Sequence, residues 1–162
     1  MIDSDDFYLR VAYALSGCQL VEQELKLYIT QALDYVGKCV GRRLPFKMSG
    51  EDYEDASLER LIDVFRKLTD NEALVAELRK FKAERNFLSH KGIAQCLDPW
   101  GELGGRSAEF MPRLHAVQAE AERLRWAIHE EGGSFKGDLA FGSFPECGLT
   151  FLRAASAAEL KR

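Results

Sequence analysis

The sequence lacks the features that identify a secreted, membrane or zinc-binding protein. The opening MIDSDD is acidic and has neither the basic nor the apolar region of a signal peptide, and no apolar run is long enough to span a bilayer. The four cysteines lie 21, 57 and 51 positions apart without a C-x-x-C pair, which argues against a zinc pattern and a dense disulfide framework. We therefore expect a cytoplasmic protein with free thiols and no membrane association.

Common enzyme and metal signatures are absent as well. The sequence has no Walker loop, no G-x-G-x-x-G motif and no G-x-S-x-G motif. Carboxylates cluster at Glu51, Asp52, Glu54 and Asp55, where a divalent cation is one interpretation. Because acidic residues commonly lie at helix N-termini, we predict no metal site and no cofactor.

The composition and the apolar spacing that are present predict a helical domain. The 162 residues are 46% hydrophobic and 30% charged, the balance of one globular domain with a substantial core. Apolar residues at alternating spacings of four and three predict a long first helix, with the stripe Phe7, Val11, Ala14, Cys18, Val21, Leu25, Tyr28, Ala32 and Val36. Further apolar residues beside this stripe indicate more than one packing neighbour, and a self-associating surface is an alternative.

Three further helices are predicted from the same spacing, at about residues 57–68, 70–92 and 109–131. The short connection between the second and third helices predicts that they are antiparallel neighbours. We therefore predict an all-α fold, an up-down bundle of four or five helices over residues 1–133. Residues 134–162 are expected to pack on the bundle as an irregular extension or short hairpin, with a partner-binding tail as the alternative.

The third predicted helix carries the group of polar residues that most suggests chemistry. Its apolar stripe consists of Leu74, Leu78, Phe81 and Leu88. At about 100° per residue, Arg85 lies within about 20° of Leu74, so its guanidinium is expected on the packed side of the helix. Asn86 and His90 are four apart on a neighbouring strip, and Gly92 is placed to end the helix in the left-handed conformation.

The surroundings of this group are basic although the whole chain has a net charge of −4. Residues 76–92 contain five cationic side chains and two carboxylates, a local sum of +3. This island gives weak support for the binding of a polyanion at this place, and we expect Lys82 and Lys91 to bind substrate. Each residue also has a structural explanation, since an arginine on an apolar stripe reaches carboxylates and a histidine in a last turn complements the helix dipole.

The segment from Arg85 to His90, RNFLSH, fits R-N-x-x-x-H and resembles the R-x(4–6)-H signature of HEPN domains. The resemblance covers roughly residues 5–131. It implies a small helical bundle, often a metal-independent ribonuclease of toxin–antitoxin or phage-defence systems, with Arg85, Asn86 and His90 as catalytic residues. Some HEPN toxins carry a tyrosine two residues after the histidine, where an antitoxin modifies it. Here that position is Gly92, so a cognate antitoxin, if present, would act differently.

The residue types suit cleavage of RNA by its own 2′-hydroxyl. Histidine transfers protons near neutral pH, and the arginine fork binds phosphate oxygens. On an ideal helix Arg85 and His90 point about 140° apart, so we predict an isologous homodimer in which both motifs face one cleft. HEPN ribonucleases are typically such dimers, so the resemblance implies the same.

Two other interpretations stay open at this point. One is a non-catalytic HEPN-like helical module that binds a protein, a nucleotide or RNA. The other is a bundle in which Arg85 is only a member of a buried ion pair. In the loop of residues 93–107, Trp100 would stack on a base or, more commonly, anchor the loop to the core.

Overall fold

The computed structural model describes residues 4–142, except residues 42, 99, 101, 102 and 105. Within these residues the regular secondary structure is helical, as predicted, and a single antiparallel bridge joins Leu97 to Leu103. The five α-helices are α1 (Ser4–Val40), α2 (Leu58–Phe65), α3 (Glu72–Phe87), α4 (Arg106–Glu131) and α5 (Gly133–Phe141). In this part of the chain no helix combines the length and the apolarity needed to cross a bilayer.

The core forms where the apolar stripes of α1, α2, α3 and α4 meet. On α1, every predicted stripe residue except the half-buried Val36 is buried, and the predicted stripes of α3 and α4 are buried throughout. At the crossing of α1 and α4, a β-carbon on Gly17 would lie 3.0 Å from Ala121 Cβ, so two small residues allow these backbones to approach. The sequence therefore predicted the buried faces of the bundle correctly.

The order of helix directions differs from the predicted up-down bundle. Ion pairs Glu59–Lys82 and Asp63–Arg79 show that α2 and α3 are antiparallel, as predicted. However, α1 and α2 run in the same direction, because the connector of residues 41–57 returns along α1. Phe46 packs near Gly37, and the Lys26 ammonium donates to the Glu54 carbonyl. A connector of this length can reverse the chain without a helix, which the predicted topology did not include.

The segment after α4 also differs from its prediction. Residues 134–141 were expected to be irregular or to form a hairpin, but they belong to α5. Phe135 inserts its ring between Tyr28 and Tyr35 of α1, with ring centroids 5.1 and 6.1 Å away. This aromatic packing stabilises a nine-residue helix that contains two glycines and no clear amphipathic spacing. The rest of the predicted extension, residues 143–162, lies outside the described residues.

Gly92 does not have the left-handed conformation predicted for it, because Gly142 has the only positive φ among the described residues. Instead, Gly92 is the buried last residue of a π-type turn, Leu88–Gly92, that continues α3. A β-carbon there would lie 2.8 Å from Phe110 Cζ. The Phe110 ring packs against the Phe87 ring at a centroid distance of 5.9 Å, so it has little room to move.

Replacing Gly92 by alanine should therefore destabilise the fold by about 1–3 kcal/mol, the usual cost of overpacking. The matched control is Gly137→Ala within α5, where an added β-carbon has nothing within 4 Å and should stabilise by about 0.5–1 kcal/mol. Urea unfolding followed by circular dichroism measures both. If Gly92→Ala and Gly137→Ala changed the free energy of unfolding by the same amount and in the same direction, the packing explanation for Gly92 would be contradicted.

Candidate functional site

Arg85 is held by an acidic residue of the first helix. Its Nε atom donates to Oε1 of Glu22 on α1 at 3.1 Å, and its Nη2 atom lies 3.0 Å from the same oxygen in the ion pair. The Arg85 side chain retains 32% of its accessible surface and that of Glu22 retains 17%. The sequence correctly placed this guanidinium on the packed side of the helix, but it gave no signal that identified Glu22 as the acceptor.

The shortness of α2 explains why α3 reaches α1 at this point. Helix α2 begins at Leu58, and Lys82 of α3 pairs with Glu59 in its first turn at 2.9 Å. Arg85 lies one turn farther along α3, past the start of α2, so its side chain meets α1 directly. Glu22 and Arg85 thus join α1 to the C-terminal end of α3, and we give the name motif groove to the surface that these two residues form with Asn86 and His90.

Asn86 and His90 are exposed beside this ion pair. Arg85 Nη1 donates to Oδ1 of Asn86 at 3.4 Å. His90 makes no hydrogen bond and no ion pair with any residue that the structure describes. The structure therefore brings Arg85 and Asn86 together, and it leaves the His90 ring available to a ligand without linking it to Arg85.

The π-type turn changes the presentation of His90. Leu88 and Gly92 are its buried residues, so Ser89, His90 and Lys91 face outward. Hydrogen bonds in a π-type turn connect residues five apart, and this reduces the divergence that an ideal α-helix imposes between Arg85 and His90. Such turns occur frequently at functional sites. The α-helical spacing alone contained no indication of this turn.

Neighbouring helices supply ion-pair partners for most charges of the basic island, including Arg123 and Arg113 of α4 for its two carboxylates, Glu77 and Glu84. Arg79 pairs with Asp63, Lys82 with Glu59 and Arg85 with Glu22, so acids on α1 and α2 compensate three of its five cations. Of the two lysines predicted to bind substrate, Lys82 is therefore engaged. Lys91 is exposed and has no ion pair among the described residues. A count of charge along one helix could not reveal these partners, which come from distant positions.

A second arginine stabilises the groove from α4. The Arg113 guanidinium lies 3.7 Å from the centre of the Phe87 ring and donates from Nε and Nη2 to the Glu84 carboxylate at 2.9 and 3.1 Å. Stacking and a two-point ion pair together fix the end of α3 next to Asn86.

Trp100, in the loop after the motif, is 87% exposed, so the expectation that it anchors its loop to the core is wrong.

The described residues contain no group of three or more histidine, cysteine or acidic side chains that could hold a metal ion. In the acidic run at residues 51–55, Glu51 and Asp52 lie in a short 3₁₀ turn, Gly50–Tyr53, where Ser49 N–H donates to the Asp52 carboxylate at 3.0 Å, and Glu54 follows the turn. In comparisons with protein-family models, curated proteins and solved structures, no match to this chain is found.

The geometry predicts that the Glu22–Arg85 pair contributes to stability. A double-mutant cycle with Glu22→Gln and Arg85→Met should give a coupling free energy of about 1 kcal/mol, since the pair is shielded from water and joins its charges through a hydrogen bond. The control cycle is Asp63→Asn with Arg79→Met on the same helix. That pair is 3.8 Å apart, with both side chains about half exposed, and should couple by less than about 0.5 kcal/mol. Equal couplings would show that Arg85 is an ordinary surface arginine.

Cys18 lies under this ion pair and gives a pH-dependent prediction. Burial raises the pKa of its thiol to about 11 from 9.0, partly offset by the Arg85 charge. The unfolded thiol ionises first, so its contribution to stability is complete below pH 9 and is lost as the pH rises towards 11. The difference in unfolding free energy between the wild type and Cys18→Ala should therefore shrink from pH 8 to pH 10.5. A difference that stays constant with pH would contradict this prediction.

Proposed function

We propose that this protein is a metal-independent endoribonuclease of HEPN type that acts at the motif groove. The observation that carries the proposal is the arrangement of one fixed guanidinium, one amide and one exposed imidazole at the end of α3. Arg85 is fixed by Glu22 and Asn86, and His90 has no partner among the described residues. Residue types that bind phosphate and move protons therefore lie within six positions of one another on an accessible surface.

Arg85 supports phosphate binding because its hydrogen-bonding capacity is not used up. A guanidinium has five N–H donors. Glu22 accepts a hydrogen bond from Nε and pairs electrostatically with Nη2, and Asn86 accepts from Nη1. The remaining donors are free to bind a phosphate oxygen that approaches from the groove. Because arginine stays charged at all relevant pH values, it would stabilise the additional negative charge of the phosphorane.

His90 would move the protons in this mechanism. The RNA 2′-oxygen attacks the adjacent phosphorus while its proton passes to an imidazole, and the bond from phosphorus to the 5′-oxygen breaks as that oxygen receives a proton. The products are a 2′,3′-cyclic phosphate and a 5′-hydroxyl end. One histidine can serve in both steps in turn, whereas two histidines can act as base and acid together.

A homodimer is part of the proposal. Two motifs in one cleft would supply a second His90 and would remove the need for Arg85 and His90 of one chain to converge. This shared cleft stays a prediction.

A toxin or defence effector must also be restrained in its own cell, so a cognate antitoxin belongs to the proposal. Since Gly92 stands at the position of the modified tyrosine, that restraint would not depend on modifying this residue.

The ion pair itself favours a second candidate function. Glu22 neutralises Arg85, as expected for a structural residue in a non-catalytic helical module that binds a protein, a nucleotide or RNA. In that case His90 would contribute nothing to chemistry, and removal of either residue would change only stability. Cleavage and stability therefore have to be measured on the same variants.

The decisive experiment incubates the purified protein with single-stranded RNA and transfer RNA in EDTA. The wild type should produce cyclic-phosphate ends, and His90→Ala should lower the rate by about 10²–10⁴-fold, the usual contribution of a general acid–base group. Arg85→Lys should also lower the rate, because lysine keeps the charge but loses the fork. His115→Ala and Arg79→Lys are the matched controls, since both residues are exposed and lie outside the motif groove.

Circular dichroism on the same samples separates catalysis from folding. Loss of cleavage in folded His90→Ala and Arg85→Lys, with both controls active, supports the ribonuclease. If the wild type and all variants are folded and equally silent on both RNAs, the binding-module interpretation replaces it.

A further inference from the structure

The outer side of α1 exposes a continuous apolar stripe that the bundle does not use. Leu9, Tyr13, Leu20 and Leu27 each retain 45–48% of their accessible surface. On the adjacent α4, Trp126 retains 53%. Single exposed apolar residues are ordinary on protein surfaces, but a contiguous group of large side chains commonly marks an interaction site. We call these five residues, with the small residues between them, the α1/α4 face.

The spacing of this stripe is that of a second heptad seam. Positions four and three apart in alternation are Leu9, Tyr13, Ser16, Leu20, Gln23, Leu27 and Thr30. At about 100° per residue, Leu20 points about 160° away from the buried Cys18, so this seam lies opposite the core stripe of the same helix. A helix with two opposite seams is suited to pack on its own bundle and on another helix at once.

A groove runs along the seam between α1 and α4. One part, about 490 Å³, is lined by Leu20, Leu27 and Trp126 together with Glu24, Arg125 and His129. A second part, about 160 Å³, is lined by Tyr13, Ser16, Gly17 and Leu20 with residues of α4. Large side chains therefore stand on both sides of a shallow centre at Ser16 and Gly17.

The charges around the face favour binding of a second copy of the same face over binding of a strongly charged partner. Glu24 contacts His129 at 3.0 Å and Lys136 at 3.7 Å, and Glu122 pairs with Arg125 at 3.2 Å. These acids are compensated within the chain, although the whole chain carries −4. Beyond Leu27 the seam is bordered by the exposed Glu51 and Glu54. The compensated part is therefore the centre of the face around Leu20, where two copies can meet without like-charge repulsion.

An antiparallel register makes the face self-complementary. If two α1 helices cross near residue 18, Leu9 of one copy faces Leu27 of the other. The Leu20 side chain of each copy then enters the shallow centre at Ser16 and Gly17 of the other. This is a knob-into-hole arrangement with two-fold symmetry. A parallel pairing would instead place Ser16 against Ser16 and Gln23 against Gln23, and would leave both shallow centres unfilled.

The size of the face is sufficient for a dimer. The exposed part of the seam, from Leu9 to Leu27, rises about 27 Å, and two helices side by side are about 20 Å wide. The face thus measures about 540 Å² on each copy, or about 1,100 Å² for two, just above the roughly 1,000 Å² that a biological interface should bury.

We propose that the α1/α4 face binds a second copy of this chain, with the two α1 helices antiparallel. Glu22, at the motif groove, points about 160° away from Leu20 on the same helix. Docking at the α1/α4 face therefore leaves Arg85 and His90 accessible, and it does not depend on ribonuclease activity. A shared cleft between two motifs would require a separate contact, and copies that used both contacts would close into a tetramer only with the two two-fold axes at right angles, and would otherwise form an open chain.

The test is the mass of the full-length protein in solution, measured by light scattering after size exclusion at micromolar concentration. Leu20→Asp places a charge at the centre of the proposed contact and should halve the mass of the wild type, from dimer to monomer or from tetramer to dimer. Leu44→Asp is the matched control, because Leu44 is 64% exposed and lies outside the face. It should leave the mass unchanged.

Circular dichroism confirms that Leu20→Asp remains folded, and Leu27→Asp provides an independent variant on the same seam. A monomeric wild type would overturn the proposal. An oligomeric wild type whose mass is the same in Leu20→Asp and Leu27→Asp would overturn it too, and would place self-association on the motif side. RNA cleavage measured in parallel reports on the proposed function separately, since a silent protein can still associate through this face.

Discussion

The structure depends on the burial of one side of α1, a 37-residue helix that no other helix of the described chain matches in length. Its core stripe packs on α4 where Gly17 meets Ala121, on α2 through Tyr28 and Phe65, and on α5 through Phe135. Each shorter helix buries its stripe mainly against this one or against a neighbour already fixed to it. Hydrophobic burial along α1 therefore sets the position of every other element, including the end of α3 that carries the motif.

One long helix of this kind offers more surface than its own bundle can cover. The short α2 leaves the α1 surface near Glu22 open, and there α1 supplies a carboxylate to Arg85. On the opposite side it leaves the apolar seam with Leu20 and Leu27 exposed. The motif groove and the α1/α4 face thus have one structural origin. Both exist because α1 is longer than the elements that pack on it, and they point in opposite directions because about two residues rotate a helix by more than half a turn.

The sequence predicted the buried faces well because they depend on local periodicity. The stripes with Val21, Leu78 and Leu124 are buried as expected. The sequence did not predict that α2 runs in the same direction as α1, nor that a π-type turn forms at Leu88–Gly92. Both features depend on contacts with distant residues. The connector reverses by packing on α1, and Gly92 accommodates the Phe110 ring. For the candidate site, the inward position of Arg85 followed from its angle, but Glu22 lies 63 positions away and no spacing rule connects the two.

The pairing of Arg85 with Glu22 fits a structural role and a catalytic role, but the two roles require different things of the arginine. A purely structural pair needs only charge and packing, so its contribution appears in the free energy of unfolding. A catalytic arginine must also keep donors directed at the ligand, and this requires a fixed fork rather than a fixed charge. Glu22 accepts from Nε, lies 3.0 Å from Nη2 and thereby orients the guanidinium, while Nη1 donates to the exposed Asn86. An arginine serving only stability would gain nothing from this outward orientation, nor from an unpartnered imidazole one turn away on a π-type turn. The arrangement therefore favours ligand binding at the motif groove, with the ion pair as the support that makes the arginine rigid.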